Sequence, residues 1–423
     1  GGEPIMKVLV IGGGGREHAL VWKIAQSPLV KKIYAVPGNA GISKFAECVE
    51  IEAGDIREIA DFAEREGIDI TVVGPEAPLV EGIADEFERR KLKIFGPNKA
   101  AARIEGSKVF AKGLMKKYSI PTAEYEVFDD YEKALRYLEK CHTPIVIKAE
   151  GLAAGKGVLV ARTREEAQKA VKAMMKDGIF GEAGRRVVVE EFLEGREVTV
   201  MAFCDGKTAK LMESSRDYKR AFDGDEGPNT GGMGAVSPAH YLSRDVEEYV
   251  RENIIRKTLE AMEKEGAPFR GVLYAGLMLT EKGPKVLEFN CRFGDPETQS
   301  VLPRLNTDLV DIIIKVLEGR LSEVDIQWKE EKAVCVVLAS GGYPATFERG
   351  KEISGIDAAE EEGAFVFHAG TALKDGKLVT AGGRALGVTA LGTTQEEARD
   401  RAYRAASKIS FEGMHYRKDI GSE

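Results

Sequence analysis

The stretch that decides the fold is Lys7-Val8-Leu9-Val10-Ile11-Gly12-Gly13-Gly14-Gly15, a short apolar run that ends in four glycines. The run predicts a β-strand, the glycines predict a turn, and the segment from Arg16 to Ala25 predicts a helix. Later strands in this region end in similar turns, at Pro37-Gly38-Asn39 and Gly74-Pro75-Glu76. Strands that alternate with helices predict a parallel α/β sheet over residues 6–105, and such sheets bind ligands at the carboxyl ends of their strands.

After residue 105 the pattern predicts α+β units. Residues 106–194 predict a smaller unit, in which strands at Thr143–Lys148 and Val158–Ala161 flank a Gly/Ala-rich loop with a mobile tip. Residues 195–327 predict a larger unit that includes a long helix over Val246–Glu265. A polar junction follows, and residues 333–423 predict a small C-terminal α+β domain. The fold class is therefore a multidomain combination of α/β and α+β.

Composition limits the classes of function. The 423 residues carry a net charge of -8, which argues against general binding of nucleic acid. The five cysteines are scattered without a CxxC pair, so a reduced, cytoplasmic setting is expected rather than a disulfide framework or a zinc site. No apolar run is long enough to span a membrane. The residues before Met6 are interpreted as a cloning remnant rather than a signal peptide.

The segment Glu288 to Gln299, Glu-Phe-Asn-Cys-Arg-Phe-Gly-Asp-Pro-Glu-Thr-Gln, predicts a metal site. Glu288 and Asn290 are two apart after an apolar run, so on a strand both side chains point to the same face. Two oxygen ligands together suit Mg²⁺, which is held by a few protein oxygens and by phosphates. Arg292 has the same parity and offers a forked donor for a carboxylate or phosphate. The alternative is a strand edge with solvated polar residues.

The glycine turn from Gly12 to His18 predicts a phosphate cradle, because it joins a strand to the start of a helix. It does not match a dinucleotide fingerprint: the third glycine would fall at Glu17 or His18. The acidic residue expected about 20 positions later is also missing, so binding of a nicotinamide cofactor is not expected. A purely structural turn is the other alternative.

The segment Lys148 to Gly157 predicts a second phosphate-binding element. It is not a Walker A loop, because the glycine spacing differs and neither Ser nor Thr follows Lys156. It nevertheless places one lysine on a strand and another in a glycine-rich loop, where small residues let backbone N–H groups approach phosphate oxygens. The alternative is a flexible hairpin with solvated lysines.

Two further segments are weaker signals when each is taken alone. In Val187–Glu197, a strand leads into a short linker that can offer backbone groups to an adenine edge, although a surface acidic cluster is an equally good interpretation. Gly227–Ala235 predicts a long glycine-rich loop for a substrate rather than a disordered connection. The five histidines have no ligand spacing, and no nucleophile elbow is present, so a side-chain nucleophile is not expected.

Together these segments resemble the ATP-grasp superfamily, and more closely its glycinamide ribonucleotide synthetase family. The resemblance runs from Met6 to about Gly421. The segments that carry it, in order, are Val10–Ala19, Gly106–Lys108, Ile147–Val158, Gly227–Ala235, Glu288–Gln299, Ala339–Pro344 and Phe367–Thr371.

The resemblance implies a site for ATP and Mg²⁺, with Mn²⁺ as a possible substitute. Glu288 and Asn290 would hold the metal between phosphates. Arg292 would steady the transferred phosphoryl group and the glycine carboxylate, and Lys156 would act beside it in catalysis. The residues implied to contact ATP are Lys108, Lys148, Gly155, Lys156, Gly157, Glu190, Glu191, Leu193 and Glu197, the last on the ribose.

The resemblance also implies two small-molecule substrates, glycine and 5-phosphoribosylamine. The residues implied to bind them are Gly13, Gly14, Gly15, Arg16, Glu76, Asp217, Asn229, Thr230, Gly231, Gly232, Asp295, Glu297 and Arg384. The implied reaction joins the two substrates through glycyl phosphate, in a monomer or small homo-oligomer. Alternatives are an ATP-grasp ligase or carboxylase for another acid, and a nucleotide-binding regulatory module without turnover.

Overall fold

The computed structural model of the chain describes residues 5–153 and 155–423. Residues 1–4 of the interpreted cloning remnant and Ala154 of the predicted hairpin tip lie outside these ranges. Among the described residues, no helix has the length and apolar character needed to cross a membrane.

The first part of the chain is the predicted parallel α/β sheet. Its elements are β1 Met6–Gly12, α1 Gly15–Ile24, β2 Val30–Pro37, β3 Glu47–Cys48, α2 Ile56–Glu66, β4 Ile70–Val73, α3 Glu76–Val80, α4 Ile83–Arg89, β5 Ile94–Phe95 and α5 Lys99–Gly106. All strand pairs are parallel, in the order β3-β2-β1-β4-β5. Leu9 and Val10 pack into different cores because successive residues of a strand alternate sides. The sheet is therefore buried on both faces.

The second part is a four-stranded antiparallel sheet in the order β6-β9-β7-β8. Three of its helices begin at side-chain caps, Ser107, Asp130 and Thr163, which accept hydrogen bonds from backbone N–H groups of the first turn. Its elements are α6 Lys108–Lys117, β6 Tyr125–Phe128, α7 Tyr131–Lys140, β7 Ile145–Ala149, β8 Val158–Ala161, α8 Arg164–Val171 with a π-helical extension over Lys172–Lys176, and β9 Val187–Glu191. The predicted hairpin is present as β7 and β8.

The third part contains the longest strands of the molecule. Its elements are β10 Arg196–Asp205, β11 Ala209–Leu211, β12 Arg216–Asp217, β13 Arg220–Phe222, β14 Glu226–Asn229, β15 Gly234–Ser237, α9 Arg244–Val250, α10 Lys257–Lys264, β16 Arg270–Thr280, β17 Gly283–Asn290, α11 Glu297–Val301 and α12 Leu309–Leu317. A π-helical segment, Arg251–Arg256, joins α9 to α10, so the predicted long helix is continuous but not α-helical throughout. The antiparallel sheet β11-β10-β16-β17 forms the floor of a deep cleft.

The last part completes a five-stranded sheet in the order β12-β15-β18-β22-β19. Its elements are β18 Lys332–Ala339, α13 Ile356–Glu361, β19 Phe365–His368, β20 Thr371–Lys374, β21 Lys377–Thr380, β22 Arg384–Gly392 and α14 Gln395–Ala406. Short 3₁₀ helices occur at Ile42–Lys44, Gly181–Gly184, Leu302–Arg304 and Leu321–Glu323.

The prediction of an uninterrupted loop over Gly227–Ala235 is wrong. Its first residues belong to β14, which pairs with β13, and its last residues belong to β15, which pairs with β18 of the C-terminal part. A Cβ on Gly234 would lie 2.7 Å from the Cys335 carbonyl oxygen, so glycine allows the close approach of these two strands. Only the tip between the two strands, at residues 230–233, remains a loop.

Candidate active site

A cleft of about 950 Å³ brings together the sheet β10-β16-β17, the sheet β7-β8-β9 and the helices α3, α5 and α6. Most of the predicted site residues line it: Arg16, Glu76, Lys108, Lys148, Gly155, Gly157, Glu190, Glu191, Leu193, Glu197, Asp217, Asn229, Thr230, Gly231, Glu288, Asn290, Arg292, Asp295, Glu297 and Arg384. Gly13, Gly14, Gly15, Lys156 and Gly232 lie beside these residues in sequence but do not themselves line the cleft in the described part of the chain.

The predicted metal pair lies at the end of β17. Gly276 pairs with Glu288 and Leu277 pairs with Val286, so Leu287 is the extra residue of a β-bulge. Val286 packs in the core, whereas Glu288 and Asn290 both line the cleft, as their spacing predicts. Burial tends to raise the pKa of Glu288, but nearby cations, first Lys219 and Lys148, outweigh burial and lower it. Glu288 is therefore held as a carboxylate that can bind a cation.

The donor set suits Mg²⁺ in a site completed by a nucleotide. Across residues 5–153 and 155–423, no group of three or more His, Cys, Asp and Glu side chains is placed to hold a metal ion. A cation bound by Glu288 and Asn290 would need further oxygen ligands, and Mg²⁺ commonly takes them from substrate phosphates and water. These two residues therefore fit a shared metal–nucleotide site better than a closed protein cage.

Arg292 is fixed by two carboxylates that converge from the N-terminal part. Its guanidinium lies 3.3 Å from Glu76 and 3.4 Å from Glu105. The Cys291 backbone N–H also donates to Glu105, at 2.9 Å. Burial raises the pKa of Glu105, while Glu105 and Glu76 raise that of Arg292 despite its own burial. The arginine is thus charged and held in one orientation before any substrate binds.

The two predicted phosphate lysines enter the cleft from different elements. The Lys108 ammonium, at the start of α6, donates to the Gly151 carbonyl at 3.4 Å, and burial lowers the pKa of Lys108. Lys148, on β7, donates to the Leu287 carbonyl at 2.8 Å, beside the metal pair. Lys148 also lies 3.0 Å from the Glu190 carboxylate. Both lysines are therefore at the end of the cleft that holds Glu288.

The Glu190 side chain is occupied by two lysines. Besides Lys148, the buried Lys112 lies 2.8 Å from the other carboxylate oxygen. Burial tends to raise the pKa of Glu190, but Lys148 and Lys112 outweigh burial and lower it. Any contact of Glu190 with adenine would therefore use its backbone, while Glu191 and Leu193 follow along the same wall of the cleft.

The adjoining end of the cleft is rich in carboxylates, which lie close enough to Glu288 to share the charge of Lys219. Asp217 is on β12, and its Oδ1 atom is buried without a hydrogen-bond donor in the described chain. Burial, and then Glu297, raises the pKa of Asp217. Glu297 accepts hydrogen bonds from Tyr274 and, at 3.1 Å, from Thr199. This end therefore has unsatisfied acceptor capacity for a cationic or hydrogen-bond-donating group.

Arg384 closes that end of the cleft from the C-terminal part. Its guanidinium donates to the Gly231 carbonyl at 2.8 Å and lies 3.5 Å from Asp295. Burial tends to raise the pKa of Asp295, but Arg384 and then Arg16 outweigh burial and lower it. Asn229 ends β14, and Thr230 and Gly232 belong to the adjoining turn, where a Cβ on Gly232 would lie 2.8 Å from Asp217 Oδ1. Residues from three parts of the chain thus meet at one site.

One backbone N–H group of the predicted phosphate cradle already donates a hydrogen bond to a side chain of the protein. Gly14 is the N-cap of α1, and its N–H donates to the Glu17 carboxylate at 2.9 Å. Glu17 also pairs with Arg16, whose guanidinium donates to the Phe293 carbonyl at 3.2 Å. The turn is compact, since a Cβ on Gly13 would lie 2.6 Å from the Gly38 carbonyl oxygen. Phosphate binding by Gly13, Gly14 and Gly15 stays a prediction.

The hairpin tip differs from the rest of the site. Gly155 has a φ of +75°, in the left-handed region, and both Gly155 and Lys156 are exposed. The Lys156 N–H donates to the Ala153 carbonyl at 3.0 Å. The tip therefore carries an exposed cation on a turn that glycine makes possible.

Sequence reasoning missed several residues of the cleft, above all the partners of the predicted ones. Their shared feature is that they come from helices and strands distant in sequence from the motifs they contact. They are Glu105, Lys112 and Tyr274. Lys112 stands four positions after Lys108 in α6, the spacing of one helical face, which is the one sequence signal for it.

A lysine-bearing antiparallel sheet faces the sheet that carries Glu288 and Asn290, and a family model for an ATP-grasp domain matches residues 106–298, so the chain is an ATP-grasp protein. The biotin carboxylase domain of Hydrogenobacter thermophilus 2-oxoglutarate carboxylase has this fold, with a TM-score of 0.74 over 98% of this chain and 92% of that one. At 17% sequence identity, the likeness concerns the fold alone.

Three family models divide most of the chain. They describe the N domain, the ATP-grasp (A) domain and the C domain of phosphoribosylglycinamide synthetase, and match residues 6–105, 106–298 and 333–423. The chain belongs to the phosphoribosylglycinamide synthetase family.

Two relatives agree with this assignment. A phosphoribosylamine–glycine ligase of Caldanaerobacter subterraneus subsp. tengcongensis is 54% identical over 417 residues, 99% of this chain and 100% of that one. The crystal structure of a phosphoribosylamine–glycine ligase from Thermotoga maritima matches with a TM-score of 0.87 at 38% identity, over 98% of this chain and 100% of that one.

Proposed function

We propose that this chain is an ATP-dependent ligase that joins glycine to 5-phosphoribosylamine in purine biosynthesis, giving glycinamide ribonucleotide, ADP and phosphate. The observation that carries the proposal is the single cleft in which Glu288 and Asn290 lie among Lys108, Lys148 and Arg292. Membership of the family and 54% identity over nearly the whole chain to a phosphoribosylamine–glycine ligase support the choice of substrates.

At the nucleotide end, the lysines and the metal pair would share the phosphate chain of ATP. Lys108 and Lys148 would neutralise phosphate oxygens, with Glu197 near the ribose. Glu288 and Asn290 would hold Mg²⁺, for which Mn²⁺ is a possible substitute. The ion, when bound, supplies charge neutralisation to the phosphates. Phosphoryl transfer depends mainly on such positioning and charge, which the lysines and the metal pair would supply.

At the acceptor end, Arg292 would bind the glycine carboxylate next to the γ-phosphate. Asp217 and Glu297 offer carboxyl oxygens that can accept hydrogen bonds from the amino group of glycine. Arg384 and the turn at Gly13–Arg16 would bind the phosphate of phosphoribosylamine, with Glu76 and Asp295 nearby. The gathering of carboxylates and arginines at one end suits two substrates that each carry an amine and an acid group.

The reaction would proceed in two balanced steps. First, a carboxylate oxygen of glycine attacks the γ-phosphorus, the bond from that phosphorus to ADP breaks, and glycyl phosphate forms. Second, the amine of phosphoribosylamine attacks the acyl carbon, the bond to phosphate breaks, and the amine loses a proton as the amide forms. Closure of the hairpin tip, with Gly155, Lys156 and Gly157, would exclude water from the acyl phosphate.

A second candidate is an ATP-grasp enzyme that activates a different acid. The fold likeness to a biotin carboxylase domain is the observation that favours it, because the nucleotide end alone does not select the acid. The acceptor end, with Asp217, Glu297 and Arg384, favours an amino acid and a phosphorylated amine instead.

We also propose the division into residues 6–105, 106–194, 195–327 and 333–423, a cytoplasmic location, and a monomer or small homo-oligomer. Support for the location comes from the acidic chain and from its five cysteines, all free in the described residues. Sedimentation of the purified chain tests the oligomeric state, and an assembly of more than about four copies would contradict it.

The decisive experiment measures phosphate release from Mg-ATP with glycine and freshly generated phosphoribosylamine, omitting each in turn. We expect release only when both are present, with one glycinamide ribonucleotide formed per ADP. Release with another acid or amine, and none with this pair, would keep the ATP-grasp chemistry and overturn the substrates. Release that depends on neither would favour a nucleotide-binding module.

A further inference from the structure

Lys112 is a buried lysine whose ammonium is fully committed to the protein. It donates to the Thr122 hydroxyl at 2.8 Å and to the Ala123 carbonyl at 3.2 Å, and it lies 2.8 Å from Glu190. Its side chain is 4% exposed. An ammonium has three N–H donors, so Lys112 has none to spare for a ligand.

Lys148, at the other side of Glu190, has a different set of partners. Two of its donors face the Glu190 carboxylate and the Leu287 carbonyl, at 3.0 and 2.8 Å. Among the described residues, the third has no acceptor. The Leu287 carbonyl precedes Glu288, and Lys148 lines the same cleft as Glu288 and Asn290, close enough to lower the pKa of Glu288.

Lys112, Lys148 and Glu190 together leave a net positive charge at the cleft. Two ammonium groups and one carboxylate carry a net charge of +1. Without Lys112, the Glu190 carboxylate would be balanced by Lys148 alone, and the pair would present no net charge. Because the ammonium of Lys112 is enclosed by its own partners, its loss would act on a nearby phosphate through Lys148, which Glu190 alone would then neutralise.

We propose that Lys112 is a positioning residue that compensates the charge of Glu190, so that the charge of Lys148 is available to the nucleotide phosphates. This inference rests on the proposed function only in its use of ATP. Lys108 and Lys112 lie on one face of α6, so the same helix supplies both a direct phosphate ligand and the compensating charge.

The test is a double-mutant cycle on direct binding of Mg-ATP and of adenosine, measured by calorimetry with the full chain. The variants are Lys112→Met, Glu190→Gln and the two combined, with Lys116→Met as the matched control, since Lys116 is exposed on the same helix. Lys112→Met should weaken Mg-ATP about tenfold or more and adenosine less than about twofold. Lys116→Met should change neither.

The combined variant separates charge compensation from simple packing. In the Glu190→Gln background no carboxylate needs compensation, so adding Lys112→Met should change Mg-ATP affinity by less than about threefold. An equal loss in both backgrounds, or an equal loss for adenosine and Mg-ATP, would overturn the proposal. Thermal unfolding of each variant shows whether it is folded, and an unfolded Lys112→Met is replaced in the cycle by Lys112→Gln.

These binding measurements are independent of the ligation assay. A chain that binds Mg-ATP and completes the cycle as expected, but forms no glycinamide ribonucleotide, would overturn the substrates and keep the role of Lys112. A wild-type chain that does not bind Mg-ATP would overturn both proposals.

Discussion

Two buried regions of this molecule differ in whether their ionisable groups are paired with opposite charges. In the cleft, Arg292 is held between Glu76 and Glu105, and Glu190 is held between two lysines. At the contact of α1 with the C-terminal sheet, His18 and His368 are buried together without a carboxylate partner in the described part of the chain, and the backbone N–H of His368 donates to His18 Nδ1 at 2.7 Å.

The pKa values follow from that difference. Burial lowers the pKa of His18 to about 3, with His368 and Lys44 adding to the effect. Burial also lowers the pKa of His368 to about 4, again with a contribution from Lys44. In the cleft, by contrast, opposite charges keep Glu288 and Glu190 ionised despite burial. Burial thus removes a charge where no counter-charge is near and preserves it where one is supplied.

The largest effect is expected from removing the metal-binding charge of the cleft. Glu288→Gln should lower kcat/KM about 10³-fold, because the phosphates lose the cation that neutralises them. Steady-state kinetics over a range of Mg²⁺ concentrations measure it. Glu281→Gln, in the exposed turn between β16 and β17, is the control and should leave activity unchanged. Near-normal turnover of Glu288→Gln would contradict the metal assignment.

A smaller loss is expected from changing the shape of a cleft cation while keeping its charge. Arg292→Lys should lower kcat/KM about 10²-fold, since a lysine cannot bind a carboxylate and the two acidic partners through one planar fork. Arg270→Lys, at the exposed start of β16, is the matched control. If Arg292→Lys retained full activity with glycine, a point charge would suffice and the bidentate role would be wrong.

The exposed cation of the hairpin should affect activity without affecting stability. Lys156→Ala should lower kcat/KM about tenfold, and the free energy of unfolding should change by less than about 0.5 kcal/mol. Ligation kinetics and urea denaturation measure the two quantities. Lys172→Ala is a control outside the cleft. A large loss of stability would mean that Lys156 has buried partners.

The smallest effect on activity is expected from the neutral histidine pair, whose influence appears in stability instead. Unfolded histidines bind protons below about pH 6.5, whereas His18 and His368 in the folded chain do so only near pH 3 and 4. Stability should therefore be complete above pH 6.5 and fall as the pH drops towards 4. Each histidine contributes up to about 1.4 kcal/mol per pH unit.

Urea denaturation between pH 4.5 and 7.5 measures that slope. His18→Asn keeps an acceptor for the backbone N–H of His368. The free energy of unfolding should then depend less steeply on pH, by about the contribution of one titrating histidine. His240→Gln, at an exposed position, should leave it unchanged. An unchanged slope in His18→Asn would show that this pair does not govern acid stability.

The sequence predicts local features well because each depends on neighbouring residues. The helix Gly15–Ile24 and the strand Val158–Ala161 lie where the sequence pattern predicts them. Glu288 and Asn290 line the cleft together, as their two-residue spacing requires. The loop prediction at Gly227–Ala235 fails because pairing of β15 with β18 joins segments about 100 residues apart, and glycine composition carries no information on such pairing.

The partners of the site residues were not predictable for the same reason. Glu105 and Arg292 are 187 positions apart, and Lys112 meets Glu190 only after α6 packs beside β9. Motifs indicate which groups face a ligand. The groups that hold them in place, and so fix their charge, come from tertiary packing.

The most direct test of the central proposal follows oxygen from glycine into phosphate. Glycine labelled with ¹⁸O in its carboxylate is incubated with the enzyme, Mg-ATP and phosphoribosylamine, and the phosphate released is analysed by mass spectrometry. Activation of the carboxylate through glycyl phosphate predicts one ¹⁸O in each phosphate for every glycinamide ribonucleotide formed. Product formation with unlabelled phosphate would contradict that route.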